Sequence, residues 1–236
     1  MKNLKCTIEA RMGSTRLPGK SMKFLTKDSR LIDFVIMNAL KSKYINKRNL
    51  YLLTSQNKNN QVLIKHVKKK YKIKIISGSD PDVFSRYLYF KKFQKFNILR
   101  LTADNPLVDP SLIDAFVDYF KKSNAHYLTT RAMSHSKNWR AKSDYPKGIS
   151  VEIFSSDKLF INEKKFNSEN YQSPTWFFFN KLFNVRIKKF KSFGIYKKMN
   201  IKKSYTIDNL TDFISVKNFI KKNDCKPGLN NIYNSN

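Results

Sequence analysis

Cysteine, histidine and long apolar runs are scarce in this 236-residue sequence, and each scarcity excludes a class of protein. Two cysteines, Cys6 and Cys225, cannot build the disulfide framework of a small secreted domain. The three histidines, His66, His126 and His135, have no zinc-ligand spacing with them. No apolar run reaches 18 residues, so we expect no transmembrane helix and no membrane partner. The charged N-terminus is unlike a signal peptide, and we expect a cytoplasmic protein.

Acidic residues are also scarce, since 17 stand against 47 basic ones and give a net charge of +30. Such an excess can indicate nucleic-acid binding. Here, however, lysine is scattered over every predicted helix and accompanies abundant Asn, Ile, Phe and Tyr, residues that share A/T-rich codons. We therefore predict no dedicated nucleic-acid surface. The charge still favours anionic ligands in any concave site.

Strand and helix patterns alternate along the first 130 residues. Strands are predicted at 4–10, 48–54, 73–76, 97–103 and 126–130. Helices are predicted at 30–43, 58–71, 82–95 and 110–122. This alternation predicts an α/β fold with a doubly wound, mostly parallel sheet.

The pattern becomes less regular after residue 130. We predict a long loop at 131–147, strands at 149–154, 184–190 and 203–207, and helices at 156–165, 170–183 and 210–222. Residues 1–222 are interpreted as a single domain with halves at 1–130 and 131–222. Residues 223–236 are a polar tail.

The glycine-poor chain places two of its six glycines in one segment, EARMGSTRLPGK, which we call the cationic loop (residues 9–20). In an open α/β sheet this loop leaves the first strand at the ligand-binding edge. Glycines permit close approach of backbone N–H groups to phosphates, and Arg and Lys supply the charge. The spacing misses the P-loop motif by one residue. We predict a phosphate-binding loop, with a solvated basic loop as the alternative. Its candidate residues are Arg11, Gly13, Ser14, Arg16 and Lys20.

The cationic loop resembles the signature loop of the sugar-acid cytidylyltransferases, which include CMP-Kdo and CMP-acylneuraminate synthetases and spore-coat polysaccharide F-type proteins. Four further blocks resemble this family in the same order: SGSDPDVFSRY (77–87), LTADNPLVDPSLID (101–114), YPKGISVEIFS (145–155) and YTIDNLTDF (205–213). The resemblance implies a nucleotide-diphospho-sugar transferase fold. It also implies that CTP and a sugar acid react to give a CMP-sugar and pyrophosphate, for a cell-surface polysaccharide.

The resemblance assigns the two halves of the domain and their residues. The half at 1–130 would bind the nucleotide, with Arg11, Arg16 and Lys20 on the triphosphate and Arg11, Lys20 and Asp104 as catalytic residues. The half at 131–222 would bind the sugar and dimerise, because dimers are common in the family. Five residues complete the assignment: Ser79, Asp80 and Arg86 beside the nucleotide, and Gly148 and Glu152 beside the sugar. Helix capping by Ser79 and Asp80, and a solvent-facing Glu152, are the alternatives.

Two aspartates follow predicted strands, Asp104 in TADNP and Asp208 in YTIDN. Mg²⁺ binds proteins through one or two carboxylates together with phosphate oxygens. In the family the matching aspartates bind catalytic Mg²⁺, and we carry that role over to Asp104 and Asp208. The alternative is that each aspartate caps the helix that follows it.

Three positions depart from the family pattern. Residue 9 is Glu where relatives usually have Gln or Pro, and residue 103 is Ala where Gly is common. The block at 168–178 lacks the histidine of the family's EHVTPY-type segment. Two alternative functions therefore remain. One is a nucleotidyltransferase that uses a sugar 1-phosphate or another nucleoside triphosphate. The other is a non-catalytic nucleotide-binding descendant.

Overall fold

A seven-stranded sheet forms the centre of the protein in a computed structural model, which describes residues 3–80, 82–130, 143–160 and 185–229. The strands are β1 (Leu4–Glu9), β2 (Leu50–Ser55), β3 (Lys74–Gly78), β4 (Asn97–Thr102), β5 (Tyr127–Thr129), β6 (Glu152–Ser155) and β7 (Ile187–Lys189). Their spatial order is β3-β2-β1-β4-β6-β5-β7. Strand β6 runs antiparallel to its neighbours β4 and β5, and all other pairs are parallel. The predicted α/β, mostly parallel fold is confirmed.

Six α-helices accompany these strands in the described part of the chain. They are α1 (Leu31–Lys41), α2 (Gln61–Tyr71), α3 (Phe84–Tyr87), α4 (Pro110–Lys122), α5 (Ser156–Phe160) and α6 (Leu210–Lys222). Local capping explains where the two longest begin. The Asp109 side chain accepts from Ser111 N ahead of α4, with Pro110 in its first turn. Asn209 and Asp212 form a capping box at the start of α6.

Apolar side chains cover both faces of the sheet. The larger core includes Leu31 of α1, Leu63 of α2, Phe116 of α4 and Val216 of α6, all buried. The smaller core packs α3 and α5 on strand residues such as Tyr51, Ile98, Tyr127 and Phe154. Because successive strand residues point to opposite faces, Ile98 and Leu99 of β4 belong to different cores. Within the described residues both faces of the sheet are thus covered, which leaves the ends of its strands for ligand binding.

The predicted helix over 82–95 is wrong in its length and type. Helix α3 covers only Phe84–Tyr87, and a 3₁₀ segment follows at Leu88–Lys92. Four aromatic rings follow one another here, and the centroids of successive rings are 6.1–6.3 Å apart: Tyr87, Phe90, Phe93 and Phe96. Their spacing of three residues matches the 3₁₀ repeat better than the α-helical one. Tilted and edge-to-face contacts among these rings therefore favour the tighter 3₁₀ turn of this segment.

The predicted strand at 203–207 is not a strand. A single bridge joins Ser204 to Lys147. Tyr205 N donates to Lys147 O at 2.7 Å, and Ile207 N donates to Asp104 O at 2.9 Å. The segment is held between two different loops instead of pairing along one strand, and this brings its C-terminal end to the edge of the sheet.

Several predictions lie outside the described residues. These are the helix at 170–183, the end of the helix at 156–165, the block at 168–178, residues 131–142 of the long loop and the last seven residues of the tail. Within the described ranges, no helix is both long enough and apolar enough to cross a bilayer.

Candidate functional site

A cleft of about 380 Å³ opens at the carboxyl ends of β1 and β4. The chain continues from β1 to one side of the sheet through β2 and β3, whereas β4 pairs with the opposite side of β1. This reversal of strand order is the switch point at which open α/β sheets bind ligands. The predicted residues that line the cleft are Arg11, Ser14, Arg16, Lys20, Arg86, Asp104 and Asp208.

The cationic loop folds back on itself at the cleft. Met12 N donates to Asn60 Oδ1 at 2.8 Å, and Gly19 N donates to Met12 O at 2.9 Å. Gly19 has φ +70°, a left-handed conformation that favours glycine. Gly13 is exposed, and an added Cβ would meet nothing within 4 Å. Only Gly19 is thus required by the fold of the loop, and the phosphate-approach role of Gly13 stays a prediction.

The three cations of the loop differ in how firmly they are held. Lys20 is 15% exposed, and its Nζ donates to Ile207 O at 2.6 Å. Arg16 is 67% exposed and lies 3.1 Å from Asp208 Oδ1. Arg11 Nη1 reaches Asp80 Oδ1 at 3.4 Å. The largely buried Lys20 side chain is therefore a fixed charge at the base of the loop, whereas the two guanidinium groups can move toward a ligand.

Asp104 and Asp208 converge on Lys20. Its Nζ is 3.8 Å from Asp104 Oδ2 and 4.0 Å from Asp208 Oδ1. Neither aspartate caps the following helix, since Asp109 caps α4 and Asn209 caps α6. The capping alternative is therefore wrong for both. The two carboxylates predicted to share a site do lie at one edge of the sheet.

The two carboxylates differ in their surroundings. Asp208 Oδ2 accepts from Lys147 Nζ at 2.6 Å. Burial alone would raise the pKa of Asp208, but the hydrogen bond and charge of Lys147, with Arg16 and Lys20, outweigh it and lower that pKa. Asp104 Oδ1 is buried and has no hydrogen-bond partner among the described residues. A buried oxygen without a partner is costly unless a ligand completes it.

This donor set fits Mg²⁺ better than zinc. The described ranges contain no group of three or more His, Cys, Asp or Glu side chains placed to hold a metal. Mg²⁺ needs only one or two protein carboxylates when phosphate and water supply the other oxygens. The partnerless Asp104 Oδ1, together with Asp208, could provide that pair.

A buried charge network, which sequence reasoning missed, forms the floor of the cleft. The Arg100 guanidinium of β4 donates to Glu9 Oε1 at 2.8 Å, to Glu9 Oε2 at 2.7 Å and to Glu152 Oε2 at 2.6 Å. Tyr87 OH donates to Glu9, and Tyr127 OH donates to Glu152. Burial alone would lower the pKa of Arg100, but the charges of the two carboxylates outweigh this effect and raise the pKa well above its usual value. Glu9, which departs from the family pattern, thus has Arg100 as its counter-ion. The sequence feature that could have revealed this network is an arginine within the otherwise apolar strand NILRLT.

The turn after β3 carries the predicted nucleotide-side residues. Arg86 is buried and lines the cleft, and its Nη2 donates to the carbonyls of Ser79 and Asp80 at 3.1 Å each. Burial would raise the pKa of Asp80, but the hydrogen bond from Ser55 and the charge of Arg11 lower it. At the start of α3 the Asp82 carboxylate accepts from Ser85 N at 2.9 Å. The capping alternative for Ser79 and Asp80 is therefore wrong.

Gly148 and Glu152, the predicted sugar-side residues, lie behind the cleft. Gly148 has φ +102°, and an added Cβ would come within 2.3 Å of the Tyr205 carbonyl carbon. Glu152 is 3% exposed and bonds to Arg100 and Tyr127. The solvent-facing alternative for Glu152 is thus wrong. Contact of either residue with a sugar stays a prediction.

A doubly wound sheet with a cationic loop and two carboxylates at its switch point defines an α/β protein suited to a phosphorylated ligand. The chain belongs to the cytidylyltransferase family, whose model matches residues 6–235. It is 36% identical over 120 residues to the spore coat polysaccharide biosynthesis protein SpsF of Bacillus subtilis, a match that covers 50% of this chain and 49% of that protein. The chain thus spans about half the length of this curated relative.

Two solved structures share the fold. A cytidylyltransferase from Leptospira borgpetersenii superimposes with a TM-score of 0.81 at 23% identity, covering 98% of this chain and 92% of the other. The CMP:2-keto-3-deoxy-manno-octonic acid synthetase complexed with CTP gives a TM-score of 0.61 at 15% identity, with coverages of 93% and 99%. At these identities the likeness shows the fold alone. The family resemblance noted in the sequence is confirmed.

Proposed function

We propose that this protein transfers CMP from CTP to a hydroxyl of a sugar acid, with Mg²⁺ as cofactor, and so makes an activated sugar for a cell-surface polysaccharide. The observation that carries the proposal is the meeting of the cationic loop with Asp104 and Asp208 around Lys20. A triphosphate needs cations along its length and a divalent ion beside its reacting phosphorus. This cleft has cationic side chains and, at the same sheet edge, two carboxylates that would hold such an ion.

The reaction that we propose is an in-line displacement. The sugar hydroxyl oxygen forms a bond to the α-phosphorus and loses its proton to solvent, while the bond from that phosphorus to the bridging oxygen breaks and pyrophosphate leaves with the bonding electron pair. Catalysis of this kind depends on positioning and electrostatics more than on covalent chemistry. Arg11, Arg16 and Lys20 would bind the triphosphate oxygens and the departing pyrophosphate, and Ser14 would donate a further hydrogen bond.

Asp104 and Asp208 would hold the Mg²⁺. The bound ion supplies charge neutralisation at the phosphates. Asp104 is the stronger candidate of the two, because its buried Oδ1 has no partner in the described part of the chain. Asp208 would become a metal ligand once the Mg²⁺ replaces one of the cationic side chains now paired with it, Arg16, Lys20 or Lys147.

Three observations support the choice of substrates. The family is one of cytidylyltransferases. The name of the Bacillus relative refers to spore coat polysaccharide, and one structural neighbour is a CMP-sugar-acid synthetase bound to CTP. We assign Ser79, Asp80 and Arg86 to the nucleotide side and Gly148 and Glu152 to the sugar side. A homodimer and a cytoplasmic location stay predictions.

The test is pyrophosphate release with Mg²⁺, in which each of the four nucleoside triphosphates is combined with a panel of sugar acids that includes Kdo and acylneuraminates. We expect release only with CTP and one sugar acid. Sugar 1-phosphates form a second panel, and release with those would favour the alternative nucleotidyltransferase. CTP binding without turnover on any acceptor would support a binding-only descendant. Absence of CTP binding would contradict the proposed role of the cationic loop.

A further inference from the structure

Lys147 lies at the candidate metal site, although nothing in the sequence analysis selected it. Its Nζ is 2.6 Å from Asp208 Oδ2, the shortest of the three cation contacts to this carboxylate. Arg16 lies 3.1 Å and Lys20 lies 4.0 Å from the other oxygen, Oδ1. Asp208 is therefore surrounded by three positive charges, and its Oδ2 is held by Lys147.

The two aspartates are thus unequal toward an incoming cation. Asp104 has a buried oxygen without a partner in the described residues. Asp208 has hydrogen-bonding or ionic partners on both oxygens. A free divalent ion that approaches Asp208 must displace an ammonium and face its charge at close range. A metal ion that arrives bound to a triphosphate is part of a complex with net negative charge, and this charge can attract the displaced cations.

We propose that Lys147 is the resident counter-ion of Asp208, an inference that rests on the proposed function. In the free protein Lys147 disfavours binding of a divalent cation at Asp208. When metal and triphosphate bind together, Lys147 moves away and leaves the carboxylate free to bind the metal. Lys147 is a positioning residue in this scheme and touches no reacting atom. Its backbone carbonyl, which accepts from Tyr205 N at 2.7 Å, fixes the residue beside Asp208 independently of its side chain.

Lys147 controls the carboxylate more than its two neighbours do. Arg16 is 67% exposed and can leave at little cost. Lys20 is anchored to Ile207 O at 2.6 Å and stands farther from Asp208. Lys147 makes the short 2.6 Å contact to Asp208, and its side chain is 24% exposed. The exposed side gives the ammonium group room to move into solvent when a ligand displaces it.

The chain offers a matched control for this lysine. Lys189 Nζ lies 2.8 Å from Asp144 Oδ1 and has the same 24% side-chain exposure as Lys147. Neither Lys189 nor Asp144 lines the cleft. Lys189→Met therefore removes a comparable lysine–aspartate ion pair, with a more exposed aspartate, away from the candidate metal site.

The test is Mn²⁺ binding, measured by electron paramagnetic resonance on the full chain without nucleotide. Lys147→Met keeps the aliphatic stem and removes the charge. We expect it to bind Mn²⁺ about tenfold more tightly than the wild type, the size of effect typical of losing one charge-assisted hydrogen bond. Lys147→Arg and Lys189→Met should stay within about twofold of the wild type. Lys147→Gln serves as a second neutral variant if thermal melting shows that the methionine variant is unfolded.

The outcomes separate this inference from the proposed function. Unchanged or weaker Mn²⁺ binding in both neutral variants, with wild-type binding still lost in Asp104→Ala, overturns the role of Lys147 and leaves the metal site intact. Wild-type protein that binds no Mn²⁺ even in the presence of CTP overturns both. Equal tightening in Lys189→Met would also overturn the inference, because the effect would then come from net charge alone.

Discussion

Asp104 is the residue at which catalysis and stability can be separated most clearly. Its buried Oδ1 has no partner in the described chain, so replacing the carboxylate removes a desolvation cost at that atom and gives up only the 3.8 Å ion pair between Oδ2 and Lys20. We expect Asp104→Ala to lower the rate of pyrophosphate release by about a thousandfold, as loss of several kcal/mol of metal stabilisation would do. Its melting temperature should equal or exceed that of the wild type.

The two readouts for Asp104→Ala are a turnover assay at saturating CTP and a thermal denaturation curve. A near-normal rate would remove the metal assignment. A large fall in melting temperature with no binding defect would instead assign Asp104 to the fold.

Gly148 shows at the scale of an element how the fold positions a site residue. An added Cβ would overlap the backbone of Tyr205 and Thr206 at 2.3 and 2.4 Å, and φ +102° is unfavourable for other residues. We expect Gly148→Ala to destabilise the protein by about 2–3 kcal/mol, as backbone strain of this kind does. Since the displaced segment leads to Asp208, metal-dependent turnover should fall as well.

Urea denaturation monitored by circular dichroism measures this change in stability. Gly13→Ala is the matched control, because Gly13 has open space around it and the substitution should leave the midpoint unchanged. Equal midpoints for Gly148→Ala and the wild type would show that the 145–148 and 204–207 segments can separate without cost.

Arg100 links three neighbouring strands, β1, β4 and β6, through Glu9 and Glu152. Removing the guanidinium leaves the carboxylates of Glu9 and Glu152 buried side by side without this counter-ion. We expect Arg100→Met to cost about 3–5 kcal/mol of unfolding free energy, the usual result of breaking a buried ion pair from one side. Adding Glu9→Gln to Arg100→Met should recover part of this loss, and a double-mutant cycle in urea measures the coupling. Independent effects of the two substitutions would contradict the network.

The elements with local signals were predictable from the sequence, and those that depend on distant partners were not. The strands β1 to β4 and helices α1, α2 and α4 follow their apolar patterns. The cationic loop was found because its charges and glycines are adjacent. Arg100 was missed because its partners are 91 and 52 residues away, and Lys147 was missed because Asp208 is 61 residues away. The antiparallel direction of β6 likewise depends on tertiary pairing and not on its own residues.

At the scale of the whole molecule, the net charge of +30 opposes folding through self-repulsion. Salt screens this repulsion, because the Debye length falls from about 30 Å at 0.01 M to about 10 Å at 0.1 M. We therefore expect the melting temperature to rise as KCl increases over this range. Lys20→Met should show the same slope if the effect is global, and a smaller one if chloride acts by binding in the cleft. A melting temperature that falls with salt would mean that the ion pairs, including those of Arg100 with Glu9 and Glu152, contribute more to stability than the repulsion removes.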